Sequence, residues 1–292
     1  MTPDPSNGAH AYTVGRYRVT VVSDGHNTAP LAPDFVRNAP TEAVQAALAR
    51  AGWPTDTLTT SYAPILIEGD GRLALIDTGV GPDAGSAPGS TRGRLLANLA
   101  ALGVSHEDVD TVVISHFHGD HVGGLVSHGA PVFPRASVHV PEPEWHFWMS
   151  DEERTAAPSG RMRNLFDSNR AIFAALPAPH PFRWGDEVIP GLRAVGTPGH
   201  SIGHTSFDLV SGGQRVFVQG DLTNHAALFL PHPDWFAGFD QDGPQAVRSR
   251  LEWYRRLAAE RVAVQAFHHP FPGLSYLEAE GDGFRRVPIE GV

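Results

Sequence analysis

The spacing of apolar residues along the chain predicts where strands and helices form. Residues 12–22 alternate between apolar and polar side chains, which is typical of a strand, and a Gly-Arg dipeptide inside this segment is a candidate turn. Residues 63–68 and 72–76 flank a Gly-Asp-Gly sequence, so they predict a hairpin. Further strands are predicted at residues 109–115, 137–140, 182–195, 206–210, 215–219 and 262–267.

Other segments carry apolar residues three and four positions apart, which is the helical spacing. Residues 244–261 show it most clearly, because Val247, Leu251 and Tyr254 fall on one helix face. Residues 79–90 are rich in Gly, Pro and Ser and predict a surface loop. The remaining helices are predicted at residues 41–48, 91–102, 142–149 and 161–176.

The order of these elements predicts one layered domain. Strand runs followed by a helix occur twice, which indicates sheets and helices packed in layers. The chain has 292 residues, of which 41% are hydrophobic, and no repeat or long linker divides it. We therefore assign residues 1–292 to a single domain, with residues 1–11 as a flexible lead-in.

Charge and residue types exclude several classes of function. The net charge is −10 without a basic cluster, which argues against a nucleic-acid-binding surface. All 22 basic residues are arginines, and the lack of lysine excludes Schiff-base chemistry. The lack of cysteine excludes disulfides and zinc sites built from thiolates.

Nothing in the sequence predicts a membrane-bound protein. No apolar run approaches the roughly 18 residues that a transmembrane helix requires. The first residues contain neither the basic region nor the apolar region of a signal peptide. We therefore expect no membrane partner and take the cytoplasm as the default location.

Four side chains that commonly bind metals lie within residues 116–121, directly after an apolar segment: His116, His118, Asp120 and His121. Imidazoles and a carboxylate suit zinc, and also iron, manganese or cobalt. Ligands this close together cannot share one helix face, so we predict a strand-to-helix loop. The alternative is a solvated loop rich in histidine, and the further histidines and aspartate downstream argue against it.

Residues 116–121, HFHGDH, resemble the HxHxDH signature of the metallo-β-lactamase-fold hydrolases. Further segments match the family in the same order, so the resemblance covers about residues 60 to 275. These segments are residues 75–79 (LIDTG), 197–200 (TPGH), 220–221 (GD) and 268–273 (HHPFPG). The six-residue loop is highly specific, whereas the other segments gain their weight from their order.

This resemblance implies an α+β fold, the four-layer αββα sandwich with two mixed β-sheets and helices outside. It also implies two divalent metal ions, zinc first, with manganese, cobalt or iron as alternatives. The implied ligands are His116, His118 and His200 for the first metal, Asp120, His121 and His268 for the second, and Asp221 as the bridge. A hydroxide between the metals would be the nucleophile, with Asp120 as the catalytic residue that orients it or relays its proton.

Several histidines and one aspartate near these segments have less certain roles. The last ligand is His268 or His269, and aligning the Pro-Gly turn with the family favours His268. Asp77 is predicted to support a ligand by hydrogen bonding. His204 and His225 are candidates for substrate contact or for a structural role.

Within the superfamily, residues 270–273 (PFPG) and the helix predicted at 244–261 before them look closest to the branch that holds quorum-quenching lactonases and methyl-parathion-hydrolase-like enzymes. Asp221 argues against true β-lactamases, which lack the bridging aspartate. We therefore expect hydrolysis of a neutral lactone or carboxylic ester, with phosphotriester turnover as a side activity. The aromatic residues near 145–148, 229–230 and 235–236 are candidates for the pocket wall, and residues 142–182 for a helical cap over it.

Other functions stay open at this point. The alternatives are a persulfide-dioxygenase-like oxidoreductase with a single iron, a glyoxalase-type thioesterase, and a non-catalytic metal-binding protein. The expected partner is a small neutral substrate, with neither nucleic acid nor membrane, and a homodimer is the candidate assembly.

Overall fold

The computed structural model describes residues 8–86 and 89–289 of the chain. The strands are β1 (Ala9–Val14), β2 (Tyr17–Val22), β3 (Gly25–Pro30), β4 (Thr57–Tyr62), β5 (Ile65–Gly69), β6 (Arg72–Ile76), β7 (Thr111–Val113), β8 (Val126–Ser127), β9 (Ala130–Pro131), β10 (Ser137–Pro141), β11 (His180–Phe182), β12 (Glu187–Ile189), β13 (Leu192–Gly196), β14 (Thr205–Ser211), β15 (Gln214–Val218), β16 (Ala263–Gln265), β17 (Leu274–Glu280) and β18 (Gly283–Val287). The α-helices are α1 (Thr41–Arg50), α2 (Pro82–Gly85), α3 (Leu95–Ala101), α4 (Gly119–Val122), α5 (Glu142–Met149), α6 (Asp151–Ala156), α7 (Arg161–Ala174), α8 (Ala226–Phe229) and α9 (Gly243–Glu260).

Most of these strands form two seven-stranded sheets. The first has the order β1-β2-β5-β6-β7-β10-β11, and the second has the order β12-β13-β14-β15-β16-β17-β18. Parallel pairs join β6 to β7, β7 to β10, β10 to β11 and β15 to β16, while the other neighbours in the sheets are antiparallel. Both sheets are therefore mixed, as the family resemblance implied.

Alternating side chains on the central strands separate the core into layers. Ile65 and Ile67 point into a cluster that contains residues of both sheets, whereas Leu66 between them packs in another cluster. In the second sheet, Val216 belongs to the shared cluster and Phe217 lies on the opposite face. Because side chains on a strand alternate between faces, this pattern shows two sheets packed against each other.

Helices cover the outer face of each sheet. Leu99 of α3, Trp148 of α5 and Phe166 of α7 pack on the outer face of the first sheet. Tyr254 and Leu257 of α9 pack on the outer face of the second. The predicted four-layer αββα sandwich is therefore confirmed. None of the helices in the described ranges combines the length and apolar composition that crossing a bilayer requires.

Two predicted boundaries were wrong. The flexible lead-in at residues 1–11 overlaps β1, since Ala9 pairs with Val22 in the first sheet; residues 1–7 lie outside the described ranges. The helix predicted at 91–102 begins only at Leu95, because Gly93 has a φ of 69°, a left-handed conformation that does not continue into a helix.

Some elements were not predicted at all. The pair β3–β4 brackets α1, and the side chains of β3 are half-buried or exposed, so it lacks apolar alternation. The hairpin β17–β18 adds two strands to the second sheet after the last predicted strand. Within the predicted surface loop at 79–90 the structure contains the short α2, and residues 87–88 fall in the gap of the description.

Candidate metal centre

The predicted ligand loop lies between β7 and the short helix α4. Helix α4 spans Gly119–Val122, and His118 precedes it in an extended conformation. His116, His118 and His121 are all buried, whereas the Asp120 side chain keeps 26% of its surface exposed. The loop therefore turns three imidazoles inward and leaves one carboxylate accessible.

A first cluster joins this loop to the segment after β13. His118 Nδ1 lies 3.0 Å from His116 Nε2 and 2.8 Å from His200 Nε2. These ring nitrogens all lie within 4.8 Å of one another, so one ion can reach all three. Three imidazole nitrogens converging on one point suit zinc and similar divalent ions.

A second cluster joins the loop to the segment after β16. His268 Nε2 lies 3.3 Å from Asp120 Oδ2, and His121 Nε2 lies 3.9 Å from the same oxygen. The three ligand atoms again lie within 4.8 Å of one another. This cluster combines two imidazoles with a carboxylate, which is a second set of the ligand types that divalent metals accept.

Asp221, at the end of β15, contacts both clusters. Its Oδ2 lies 3.2 Å from His200 Nε2 and 3.0 Å from His268 Nε2, and its Oδ1 lies 3.2 Å from His121 Nε2. Asp221 Oδ1 and His121 Nε2 are buried and have no hydrogen-bond partner among the described residues. Buried polar atoms are normally satisfied, so these two atoms fit metal coordination better than a hydrogen-bonded core. The structure thus brings all seven predicted ligands together.

The opposite nitrogen of four of these histidines is hydrogen-bonded to the surrounding protein. His121 Nδ1 donates to Asp77 Oδ2 at 2.8 Å, and His200 Nδ1 donates to Asp240 Oδ1 at 2.8 Å. His268 Nδ1 donates to the Ser61 carbonyl oxygen at 2.8 Å, and His116 Nδ1 lies 3.1 Å from Ser115 Oγ. Such contacts fix the tautomer, and in each of these four rings they leave Nε2 directed at the cluster.

Of these supporting residues, the sequence predicted only Asp77. Its carboxylate also accepts hydrogen bonds from the backbone N–H and the hydroxyl of Ser115, so it supports two adjacent parts of the ligand loop. It does so from a left-handed backbone conformation with a φ of 60°, which is uncommon for a residue other than glycine. Asp240 was missed, because no motif surrounds it in the sequence.

Charges inside the centre shift the pKa values of its groups in opposite directions. Burial, together with the neighbouring histidines, lowers the pKa of His116 and His118 well below its usual value. Burial would also lower the pKa of His200, but hydrogen bonds to Asp221 and Asp240 raise it to about 9. For His268, burial is outweighed by the charge of Asp221 and the hydrogen bond to Asp120, so its pKa rises to about 10. Without metal, we therefore expect His200 and His268 to be protonated at pH 7, and His116 and His118 to be neutral.

Metal binding at pH 7 should release protons, because His200 and His268 must become neutral to act as ligands. Calorimetric titration of zinc into the metal-free protein should give different apparent binding enthalpies in two buffers of different ionisation enthalpy. The affinity for zinc should increase as pH rises toward about 9. An apparent enthalpy that does not depend on the buffer would contradict the proton release.

In the metal-free fold, protonation of His200 and His268 should stabilise the folded state. This stabilisation is complete below 6.5, the pKa of an unfolded histidine, and is lost as pH rises through about 9 to 10.

The structure separates His268 from the neighbouring His269. His268 Nε2 lies 3.0 Å from Asp221 Oδ2 and belongs to the second cluster, whereas His269 belongs to neither cluster of the described residues. His204 accepts a hydrogen bond from the Asp221 backbone N–H at 2.9 Å, and burial lowers its pKa to about 3. The neutral ring of His204 therefore holds the turn that carries Asp221. His225 is buried against Trp53, with ring centroids 5.2 Å apart.

A cavity of about 190 Å³ opens onto the two clusters. Besides ligand residues and Gly119, its lining consists of Phe35, Thr60, Arg161, Leu165, Asn224 and Phe239. A larger groove of about 580 Å³ between β1 and β15–β17 contains none of the seven predicted ligands. The small cavity is therefore the candidate substrate pocket.

The aromatic residues predicted to line this pocket lie elsewhere. Trp148 is fully buried, and Trp145 and Phe147 pack against Phe173 and Phe166 of α7. Phe229 belongs to another core cluster, and Trp235 packs against that cluster. Of the predicted cap at 142–182, only Arg161 and Leu165 of α7 line the pocket.

Comparisons with known proteins are consistent with this geometry. Residues 63–269 match the family model described as Metallo-beta-lactamase superfamily. Metallo-beta-lactamase domain-containing protein 1 of Mus musculus is 37% identical over 263 residues, which cover 88% of this chain and 84% of that protein. N-acyl homoserine lactonase AttM of Azorhizobium caulinodans is 32% identical over 195 residues, covering 64% of this chain and 68% of that protein.

The solved structure of AidC, described as a dizinc quorum-quenching lactonase, is similar over 99% of this chain and 100% of its own, with a TM-score of 0.90. At 24% sequence identity this likeness supports the fold alone. The chain spans about half the length of the first curated relatives that it matches.

Proposed function

Because the chain belongs to the metallo-β-lactamase superfamily, we propose that it is a hydrolase that depends on two divalent metal ions. When bound, such ions lower the pKa of a coordinated water and polarise a carbonyl or phosphoryl oxygen. His116, His118 and His200 would hold one ion, Asp120, His121 and His268 the other, and Asp221 would contact both. Zinc is the metal that we propose first.

The observation that supports this proposal most strongly is the position of Asp221. It lies within 3.2 Å of a nitrogen from each cluster, so one carboxylate can serve two ions. A merely structural metal site is normally closed by four ligands around one ion. Seven ligand side chains beside an open cavity are better explained by a catalytic centre.

Among the proposed ligands, Asp120 is the one whose role can extend to catalysis. Its side chain is 26% exposed and lines the cavity, whereas Asp221 is only 3% exposed. A carboxylate that faces both the substrate and the reacting water can orient that water and accept its proton. We assign this role to Asp120.

The pocket lining supports a neutral, partly apolar substrate. Phe35, Leu165 and Phe239 provide an apolar wall, and Thr60 provides a neutral polar group. Arg161 is the single arginine of the lining, and its guanidinium lies 5.4 Å from the centre of the Phe239 ring. One cation beside an aromatic wall suits the carbonyl oxygen of a lactone or ester better than a doubly charged phosphomonoester. The 32% identity with a protein named as a lactonase favours lactones in the same way.

A panel of three substrates tests this function. We expect an acyl-homoserine-type lactone and an aryl carboxylic ester to be hydrolysed faster than an aryl phosphomonoester, because the acidic chain repels anions at long range. Chelation should abolish turnover, and zinc, manganese or cobalt should restore it. If the phosphomonoester is the best substrate, the proposed preference for neutral substrates is wrong, but the proposed metal centre is unaffected. If chelated and metal-loaded protein turn over the panel equally, metal dependence itself is wrong.

A further inference from the structure

A carboxylate outside the seven proposed ligands is buried beside the metal centre. Glu144 of α5 has no exposed surface, and no arginine or histidine of the described chain forms an ion pair with it. Burying a carboxylate without a cation is costly unless hydrogen bonds compensate for the lost water. The partners of Glu144 therefore indicate why it lies there.

Four donors surround this carboxylate. Its Oε2 accepts hydrogen bonds from the Phe117 backbone N–H at 2.9 Å and from Trp148 Nε1 at 2.8 Å. Its Oε1 accepts hydrogen bonds from Ser201 Oγ and from the Gly203 backbone N–H, both at 2.6 Å. Each oxygen thus accepts two hydrogen bonds. A neutral amide has only one acceptor oxygen and could not accept all four.

These donors belong to the two segments that form the first cluster. Phe117 lies between the proposed ligands His116 and His118, and Ser201 directly follows His200. One oxygen of Glu144 therefore holds the loop after β7, and the other holds the loop after β13. The hydrogen bonds of Glu144 do not include any atom of Asp120, His121 or His268.

The second of these loops approaches Glu144 so closely that a larger residue would not fit. A Cβ atom on Gly203 would lie 2.5 Å from the Glu144 backbone nitrogen, a distance that would force the backbone apart. The loop after β13 therefore packs closely against α5, and the position of Glu144 limits where the His200 segment can lie.

We propose that Glu144 is a positioning residue that sets the spacing of the first metal cluster, and hence its metal affinity, by tying the two ligand loops to α5. This rests on the proposed function, because it assumes that both clusters bind metal. Without these bonds, the His116 and His118 loop and the His200 loop could separate, and the three nitrogens would no longer converge. The second cluster takes Asp120 and His121 from the loop after β7 but no ligand from the loop after β13, so its affinity should fall less.

The test is the Glu144→Gln variant, which keeps the size of the side chain but replaces one acceptor oxygen by a donor amide. The metal affinity of the first cluster should fall by about 10- to 100-fold, as for other residues that support ligands. Competition with a chelator would measure both affinities, and anomalous diffraction would show which cluster keeps its ion. Metal should remain between Asp120, His121 and His268 and be depleted between His116, His118 and His200.

Two further variants keep the test informative. Glu142→Gln lies on the same helix, where the native side chain pairs with Arg183 near the surface, and should retain both ions. Ser201→Ala removes one of the four bonds and should weaken the first cluster to a smaller degree even if Glu144→Gln does not fold. An equal loss at both clusters, or no loss at either, would overturn the role of Glu144. A wild-type protein that binds no metal would instead refute the proposed function.

Discussion

Replacing Asp221 with alanine should lower the metal content from two ions per chain to about one. Its two carboxylate oxygens are within 3.2 Å of nitrogens from both clusters, so its removal takes a ligand from each ion. Hydrolysis should fall by more than about 100-fold, because the loss of even an outer supporting partner costs 10- to 100-fold. Metal analysis after gel filtration, combined with the lactone assay, would measure both effects.

Asp208→Asn provides a control for this experiment. Asp208 lies in β14 of the same sheet, and its side chain is 17% exposed and paired with Arg215 at 2.6 Å. Removing this charge should leave the metal content and turnover near the wild-type values. An Asp221→Ala protein with two ions and full activity would show that Asp221 does not bridge the clusters.

Removal of the metals should destabilise the whole fold by a large amount. The seven proposed ligands come from segments after β7, β13, β15 and β16, so bound ions would cross-link both sheets. A ligand present at about 1,000 times its dissociation constant stabilises the folded state by about 4 kcal/mol. The chelated protein should therefore melt several degrees below the metal-loaded protein.

Differential scanning calorimetry with and without chelator would measure this effect. A matched control is the same experiment on a variant that lacks one ligand of each cluster, such as His116→Ala combined with His268→Ala, in which the chelator should have little effect. Identical melting temperatures for chelated and loaded wild-type protein would be incompatible with a shared site built from four strand ends.

The sequence predicted the central loop because its information is local. The four candidate ligands within residues 116–121 cannot share one helix face, so the strand-to-helix loop follows from their spacing. The order of predicted strands and helices indicated a layered domain, whereas the four-layer sandwich was implied by the family resemblance. The choice of His200, Asp221 and His268 required the family resemblance, because each lies more than 75 residues from the loop or beside a competing histidine.

The residues that support the ligands could not be predicted, with the exception of Asp77. Asp240 lies 40 residues from His200 along the chain, and Ser61 lies 207 residues from His268. Glu144 joins two loops that lie 27 and 57 residues away from it. The periodicity of the sequence does not indicate contacts between residues so far apart along the chain. The same limit explains the pocket wall: Phe35 and Phe239 lie outside regular helices and strands, while the more conspicuous Trp148 belongs to the core. The homodimer and the cytoplasmic location stay predictions.

The most direct test of the two-metal centre is anomalous diffraction from crystals of protein purified without chelator. We predict two peaks per chain, one among His116, His118 and His200 and the other among Asp120, His121 and His268, with the Asp221 carboxylate between them. Data collected across the absorption edges of zinc, manganese, cobalt and iron would identify the metal at each peak. A single iron within the first cluster, with Asp120 and His268 free of metal, would contradict this account and favour a mononuclear oxidoreductase.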